Sequence, residues 1–221
     1  MKREQLEHVL RAAARIVNQS DFLVIGSAAI LATYDDAALP YEASRSDEAD
    51  LAPFDDDATG TKSFQVEGSL GQGSPFHETF GYYADGVDFK TAAAPEGWEG
   101  RLVPFAPPGA EPGRGWCLER HDLAAAKLAA GRIKDYEFVG ALLDAGLLRS
   151  RFWMSEWRRY RAPASQRRFS TRPGAGLSLD RPELAGRARR EQITRPDTLP
   201  RSRSEAQRTG GNGPKSAALI H

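Results

Sequence analysis

Glu48 and Asp50 stand two apart in the stretch "DEADLAPF", Asp47 to Phe54. On an extended strand, side chains two apart project from one face, so both carboxylates point one way while Ala49 and Leu51 point the other. Hard oxygen ligands held side by side suit Mg2+ or Mn2+, and such ions also bind substrate phosphates. Phosphoryl transfer at a pair of ions needs carboxylates that bridge them roughly 3.5–4 Å apart. The same spacing fits a solvated acidic strand end, since Asp47 and Asp55 to Asp57 are acidic too. A third acid on a neighbouring strand separates these readings. Asp88, set between apolar Val87 and Phe89, is the first choice; Asp85, His77 and Glu78 compete with it, and a plain turn acid after Gly86 is the alternative.

A second feature lies upstream, where the apolar run of "FLVIGSAAILATY" is interrupted by Gly26-Ser27. A glycine after a strand lets backbone approach a phosphate, a serine hydroxyl donates to it, and exposed N–H groups at a helix start favour negative charge. Alone the pair is weak, because many such turns serve packing only.

These residues need elements to hold them. Leu6, Val9, Leu10, Ala13, Ile16 and Val17 recur at helical spacing, with Arg11 and Arg15 outward, and the helix ends near Asn18-Gln19. Phe22 to Ile25 is a buried strand, Gly26-Ser27 stops it, and Ser27 caps a helix over "AAILATY". Residues 55–79 are polar and Gly-rich, giving a short helix and a mobile loop. Tyr83, Val87 and Phe89 suggest strand pieces around a turn at Asp85-Gly86, and Arg101 to Phe105 a further short strand. "RHDLAAAKLAAGRIKDYEFVGALLDAGLL" holds two helices broken at Gly131; Leu123, Lys127 and Ala130 share a side of the first, and Ile133, Phe138, Leu142 and Leu143 form a later apolar face.

Composition divides the 221 residues in two. Residues 1–150 carry 24 acids and 14 bases, a net of −10, and residues 151–221 carry 6 acids and 16 bases, a net of +10. The first part has the apolar periodicity to build one domain. The second, as in "RSRSEAQRTGGNGPKS", is rich in Arg, Pro, Ser and Gly and is expected to be mostly disordered. A basic nucleic-acid arm is one reading of it; scattered Arg without interleaved aromatics or a periodic face favours the blander one, a biased segment such as an altered reading frame produces. Cys117 is the single cysteine, which excludes an intramolecular disulfide and a multi-cysteine zinc site and fits a reducing, cytoplasmic setting as a small buried hydrophobe. "MKREQLEHVLRAAARIV" lacks the apolar core of a signal peptide, and no run reaches a membrane span.

Taken together, Gly26-Ser27, then Glu48-Ala49-Asp50-Leu51, then Asp88 resemble the nucleotidyltransferase superfamily related to DNA polymerase beta. "IGSAAIL", "EADLAP", "SPFHETFGYYADGV", "GWEGRLV" and "HDLAAAKLAAGRIKDYEFVGALL" are similar to a bacterial family of uncharacterised nucleotidyltransferase-like proteins over about residues 5–148. The resemblance implies an α/β (α+β) nucleotidyltransferase fold, a small mixed sheet flanked by helices with a helical C-terminal segment. It implies that Gly26 and Ser27 hold a triphosphate, that Glu48 and Asp50 bind Mg2+ (or Mn2+), and that Asp88 completes the metal site and helps activate the acceptor. Lys127, Arg132 and Lys134 are then candidates to meet nucleotide or acceptor phosphates, against a solvated surface helix. The implied activity moves a nucleoside monophosphate from an NTP to an RNA, protein or small-molecule acceptor. The wider group includes toxins, so an antitoxin-like partner is a further expectation, and an inactive nucleotide-sensing or partner-binding module is the alternative. Glu48 departs from the more usual Asp.

Overall fold

The computed structural model describes residues 1–148. The tail expected to be disordered from residue 151 lies outside them. Helix α1, Arg3–Val17, buries Leu6, Val9, Leu10, Ala13, Ala14 and Val17 and ends where Asn18 turns left-handed at φ 49°. Ile16, expected inward, is 38% exposed, and Ala14 takes its place on the buried stripe.

Strand β1, Asp21–Ile25, is buried at every residue because it is the middle strand of five. The sheet is mixed, ordered β3-β2-β1-β5-β4. β2, Glu48–Pro53, runs antiparallel to β1; β3, Tyr83–Gly86, runs parallel to β2; β5, Arg114–Cys117, runs parallel to β1 and carries the antiparallel edge strand β4, Val103–Phe105. The fold is thus mixed α/β, with helices packed on a small mixed sheet. A buried central strand flanked on both sides reads as a continuous apolar run, which is what "FLVI" is.

The helix expected after β1 is a 3-10 helix, Ser27–Ala32, and Gly26 rather than Ser27 is the residue that precedes it. A one-turn helix α2, Tyr41–Ser44, leads into β2. The stretch expected as helix and mobile loop contains two helices, α3 at Thr61–Leu70 and α4 at Pro75–Phe80; Ser74 caps the latter by accepting from the His77 N–H, with Pro75 at its first position. The C-terminal pair is α5, Arg120–Ala130, and α6, Ile133–Asp144, separated at Gly131, which is left-handed at φ 67°. Of the residues expected on the apolar face of α6, Phe138 and Leu142 are buried, and Ile133 is 80% exposed.

Two readings of strands change. β5 lacks strong alternation and was not expected as a strand; its residues become one only through pairing with β1. The turn expected at Asp85-Gly86 is the end of β3. Gly86 is glycine there because α3 crosses so closely that a Cβ would lie 1.9 Å from the Ser63 carbonyl oxygen. No helix of the described residues is long and apolar enough to cross a membrane.

Gly86→Ala forces α3 off β3 and is expected to cost about 1–3 kcal/mol in denaturant unfolding. Gly140→Ala, mid-helix in α6 with nothing within 4 Å of its new methyl group, is the control and is expected to stabilise by roughly 0.5–1 kcal/mol.

Candidate metal centre

The strand register brings the acids together. Ile25 on β1 opposes Asp50 on β2, and on the other side Glu48 opposes Tyr83 and Asp50 opposes Asp85 on β3. Glu48, Asp50 and Asp85 each offer one carboxylate oxygen, and these oxygens lie within 4.8 Å of one another. Among the described residues no other trio of His, Cys, Asp or Glu converges in this way.

Gly26 makes the approach possible. Its backbone sits at φ 70°, ψ −169°, a conformation almost confined to glycine, and a Cβ placed there would lie 1.8 Å from Asp50 Oδ2. The bare glycine after β1 therefore makes room for a carboxylate of the next strand.

The charges inside the group are costly without a cation. Burial first, then the Glu48 charge, push the Asp50 carboxyl up to about 7, against the pull of Lys127; Asp85 adds a smaller push. Asp85 is pushed up to about 6 by burial and by Glu67 and Glu48, with the Gln72 backbone N–H opposing. Tyr83, beside Glu48 on the next strand, is pushed up to about 12 by burial and by Glu48. Asp85 Oδ1 is buried and has no hydrogen-bond partner. A buried carboxylate oxygen with no donor, aimed among two more carboxylates, is a donor set that fits a hard divalent cation such as Mg2+ or Mn2+.

Asp88, the acid chosen from sequence, stands elsewhere. β3 ends at Gly86, and Asp88 caps a short 3-10 helix, Phe89–Thr91, by accepting from the Lys90 N–H; its side chain is 62% exposed. Asp85 occupies the place foreseen for it, because residue 85 lies in the paired part of the strand and faces Asp50. Of the other competitors, His77 packs its ring 4.8 Å from that of Tyr83, and Glu78 is exposed on α4. Ser27 opens the 3-10 helix beside Gly26.

The basic residues divide as well. Lys127 is buried, its ammonium 3.3 Å from a carboxylate oxygen of Asp135 and 5.5 Å from the Phe138 ring centre. Burial lowers its pKa, while Asp135 and Asp50 raise it. Arg132 is more than half exposed and pairs with Asp135 at 2.7 Å; its charge is felt by Glu48 and Asp50. Lys134 is exposed. Sequence reasoning missed Glu67, which accepts from the Gly86 N–H at 2.9 Å, and Tyr83 and Asp135. The signal for Tyr83 and Asp85 was present in the polar–Ala–polar alternation of "YADG". Comparison with protein-family models, with curated proteins and with solved structures finds no match to this chain.

Two outcomes are expected. Gly26→Ala strains the backbone and displaces Asp50, costing about 1–3 kcal/mol of stability and, in a Mn2+ titration, about tenfold or more in affinity. The second concerns pH. Asp50 and Asp85 titrate above their ordinary 3.8 in the fold, so below about pH 4 folded and unfolded chains are both protonated at these groups, and between there and about pH 7 the unfolded chain releases protons that the folded one keeps. The metal-free fold accordingly loses stability over that window as pH rises. In EDTA, melting should drop from about pH 5 to about pH 7.5 more steeply in the wild type than in Asp50→Asn. Millimolar Mg2+ or Mn2+ should restore the wild type at the higher pH only; identical melting behaviour of the two proteins counts against the site.

Proposed function

We propose that this chain has the nucleotidyltransferase fold and is a metal-dependent nucleotidyltransferase, moving a nucleoside monophosphate from an NTP to an acceptor hydroxyl or phosphate. The observation that carries the reading is the convergence of Glu48, Asp50 and Asp85 against Gly26. Spacing along the sequence supports it too: a Gly-Ser, an acid-x-acid strand and a later acid follow one another as in the superfamily related to DNA polymerase beta, with Asp85 in place of Asp88 as the third acid.

Glu48, Asp50 and Asp85 would hold Mg2+ or Mn2+, which when bound neutralises phosphate charge and binds the reacting oxygens. The chain's own residues do the rest. Gly26 and Ser27 border the acids at the start of the 3-10 helix, where backbone and hydroxyl donors can meet phosphate oxygens. Asp85, the third acid of the group, would be the carboxylate beside the reacting oxygen that takes the acceptor proton. The acceptor oxygen forms a bond to the α-phosphorus, the bond from that phosphorus to the bridging oxygen breaks, and pyrophosphate leaves with the electron pair. No covalent protein nucleophile is required, in keeping with Cys117, which is fully buried and whose thiol burial pushes far up. One observation favours an inactive nucleotide-sensing module of the same fold: Glu48 has a longer side chain than the usual Asp, which alters how it bridges two ions.

The test is pyrophosphate release from each of the four NTPs with Mg2+ or Mn2+ and cell extract as the source of acceptor. Release that falls about 100-fold or more in Glu48→Gln/Asp50→Asn is the expected result. A folded wild type that releases none, yet binds Mn2+ and NTP, moves the assignment to the sensing module.

A further inference from the structure

The acid cluster suits a cation, whereas a triphosphate is itself an anion, so the phosphate side of such a site needs positive charge from the protein. Among the described residues, Lys127 and Arg132 are cations whose charge reaches the cluster. Both are held by one group. The Asp135 carboxylate is wholly buried; Oδ2 accepts from Arg132 Nε at 2.7 Å and from the Arg132 backbone N–H at 3.3 Å, while Oδ1 accepts from Arg132 Nη2 at 3.3 Å and lies 3.3 Å from Lys127 Nζ.

The arrangement follows from the chain. α5 ends at left-handed Gly131, whose N–H returns to the Lys127 carbonyl, and Arg132 starts α6 in a capping box with Asp135. The last turn of one helix thus meets the first turn of the next over a single carboxylate. One negative charge cannot neutralise two positive ones, so the trio keeps a net charge of +1 beside three carboxylates. α5 packs on the 3-10 helix that begins beside Gly26, and Gly26 lies directly against the Asp50 carboxylate, so a buried ammonium that lost Asp135 would have a substitute in Asp50, whose charge it already feels. Direct pairing there would occupy a metal ligand.

Resting on the nucleotidyltransferase reading above, we infer that Asp135 is a positioning residue: it holds the Lys127 ammonium back from Asp50, which keeps the three carboxylates open to a divalent cation and leaves Lys127 and Arg132 to bind the phosphates of a nucleoside triphosphate. A purely structural pair joining α5 to α6 makes a different prediction, because its loss would loosen the helices without the ammonium blocking the metal.

The experiment uses the full-length chain, with Mn2+ alone titrated by the resonance signal of the free ion and inorganic pyrophosphate added in the presence of Mn2+ and followed by calorimetry. Asp135→Asn is expected to bind Mn2+ about tenfold more weakly. Lys127→Met/Asp135→Asn, which removes the competing ammonium, should return Mn2+ affinity to within about threefold of wild type while pyrophosphate binding falls about tenfold or more. Asp135→Asn that folds and binds Mn2+ like the wild type, or a double variant no better than the single, overturns the inference. Should Asp135→Asn fail to fold, Lys127→Met decides: Mn2+ binding as tight as wild type or tighter, with weaker pyrophosphate binding, supports the inference, and loss of both overturns it. A wild type that binds no Mn2+ sinks the metal-centre reading and this inference together, whereas normal wild-type binding beside an unaffected Asp135→Asn sinks this inference alone.

Discussion

Repulsion between three carboxylates whose oxygens lie within 4.8 Å of one another is the constraint to which the other features of the site answer. At about 4 Å two unit charges repel by roughly 4 kcal/mol where the effective dielectric is near 20, and burial adds to that. A fold gains nothing in stability from such a group. It relieves the repulsion in part by keeping protons, as the upward shifts of Asp50 and Asp85 show, and in part through the nearby ammonium of Lys127. What the protein's own side chains leave without a partner is Asp85 Oδ1, an oxygen that a divalent cation would suit.

Holding the acids there requires a stiff frame, and the sheet supplies it. β1 is buried throughout, and its antiparallel partner β2 cannot slip by one residue without turning Ala49 and Leu51 outward and the acids into the core. β3 is fixed to β2 by the parallel ladder and to α3 by the close contact at Gly86. Two glycines thus serve proximity: Gly26 admits a carboxylate, and Gly86 admits a helix backbone. Both positions would otherwise read as ordinary turn residues.

The helical pair α5–α6 contributes cations in place of acids. Lys127 is buried with its ammonium over the Phe138 ring and against Asp135, an arrangement that desolvation makes costly unless charges are paired. α6 is also joined to α2 by the Arg45–Glu137 ion pair, and α2 leads directly into β2. The basic and acidic sides of the site are therefore linked through the frame.

Much of the architecture was legible because it depends on local rules. The period of α1, the apolar run of β1, the alternation across Glu48 to Leu51 and the break at Gly131 each follow from residue spacing or from a residue's own conformational preference. Glu48 and Asp50 could be placed on one face by the two-residue repeat alone. The third acid could not, because the choice between Asp85 and Asp88 turns on where β3 stops, and that is decided by pairing with β2 and by the crossing of α3 over Gly86. β5 is a strand only because β1 pairs with it. Spacing left Lys127 open between a phosphate-meeting residue and one on a solvated helix, and its burial against Asp135 depends on α6 packing on α5. Spacing along the chain determined which residues could act together; contacts between segments far apart in sequence decided which of them meet, since register, close approach and charge pairing exist only after the chain has folded.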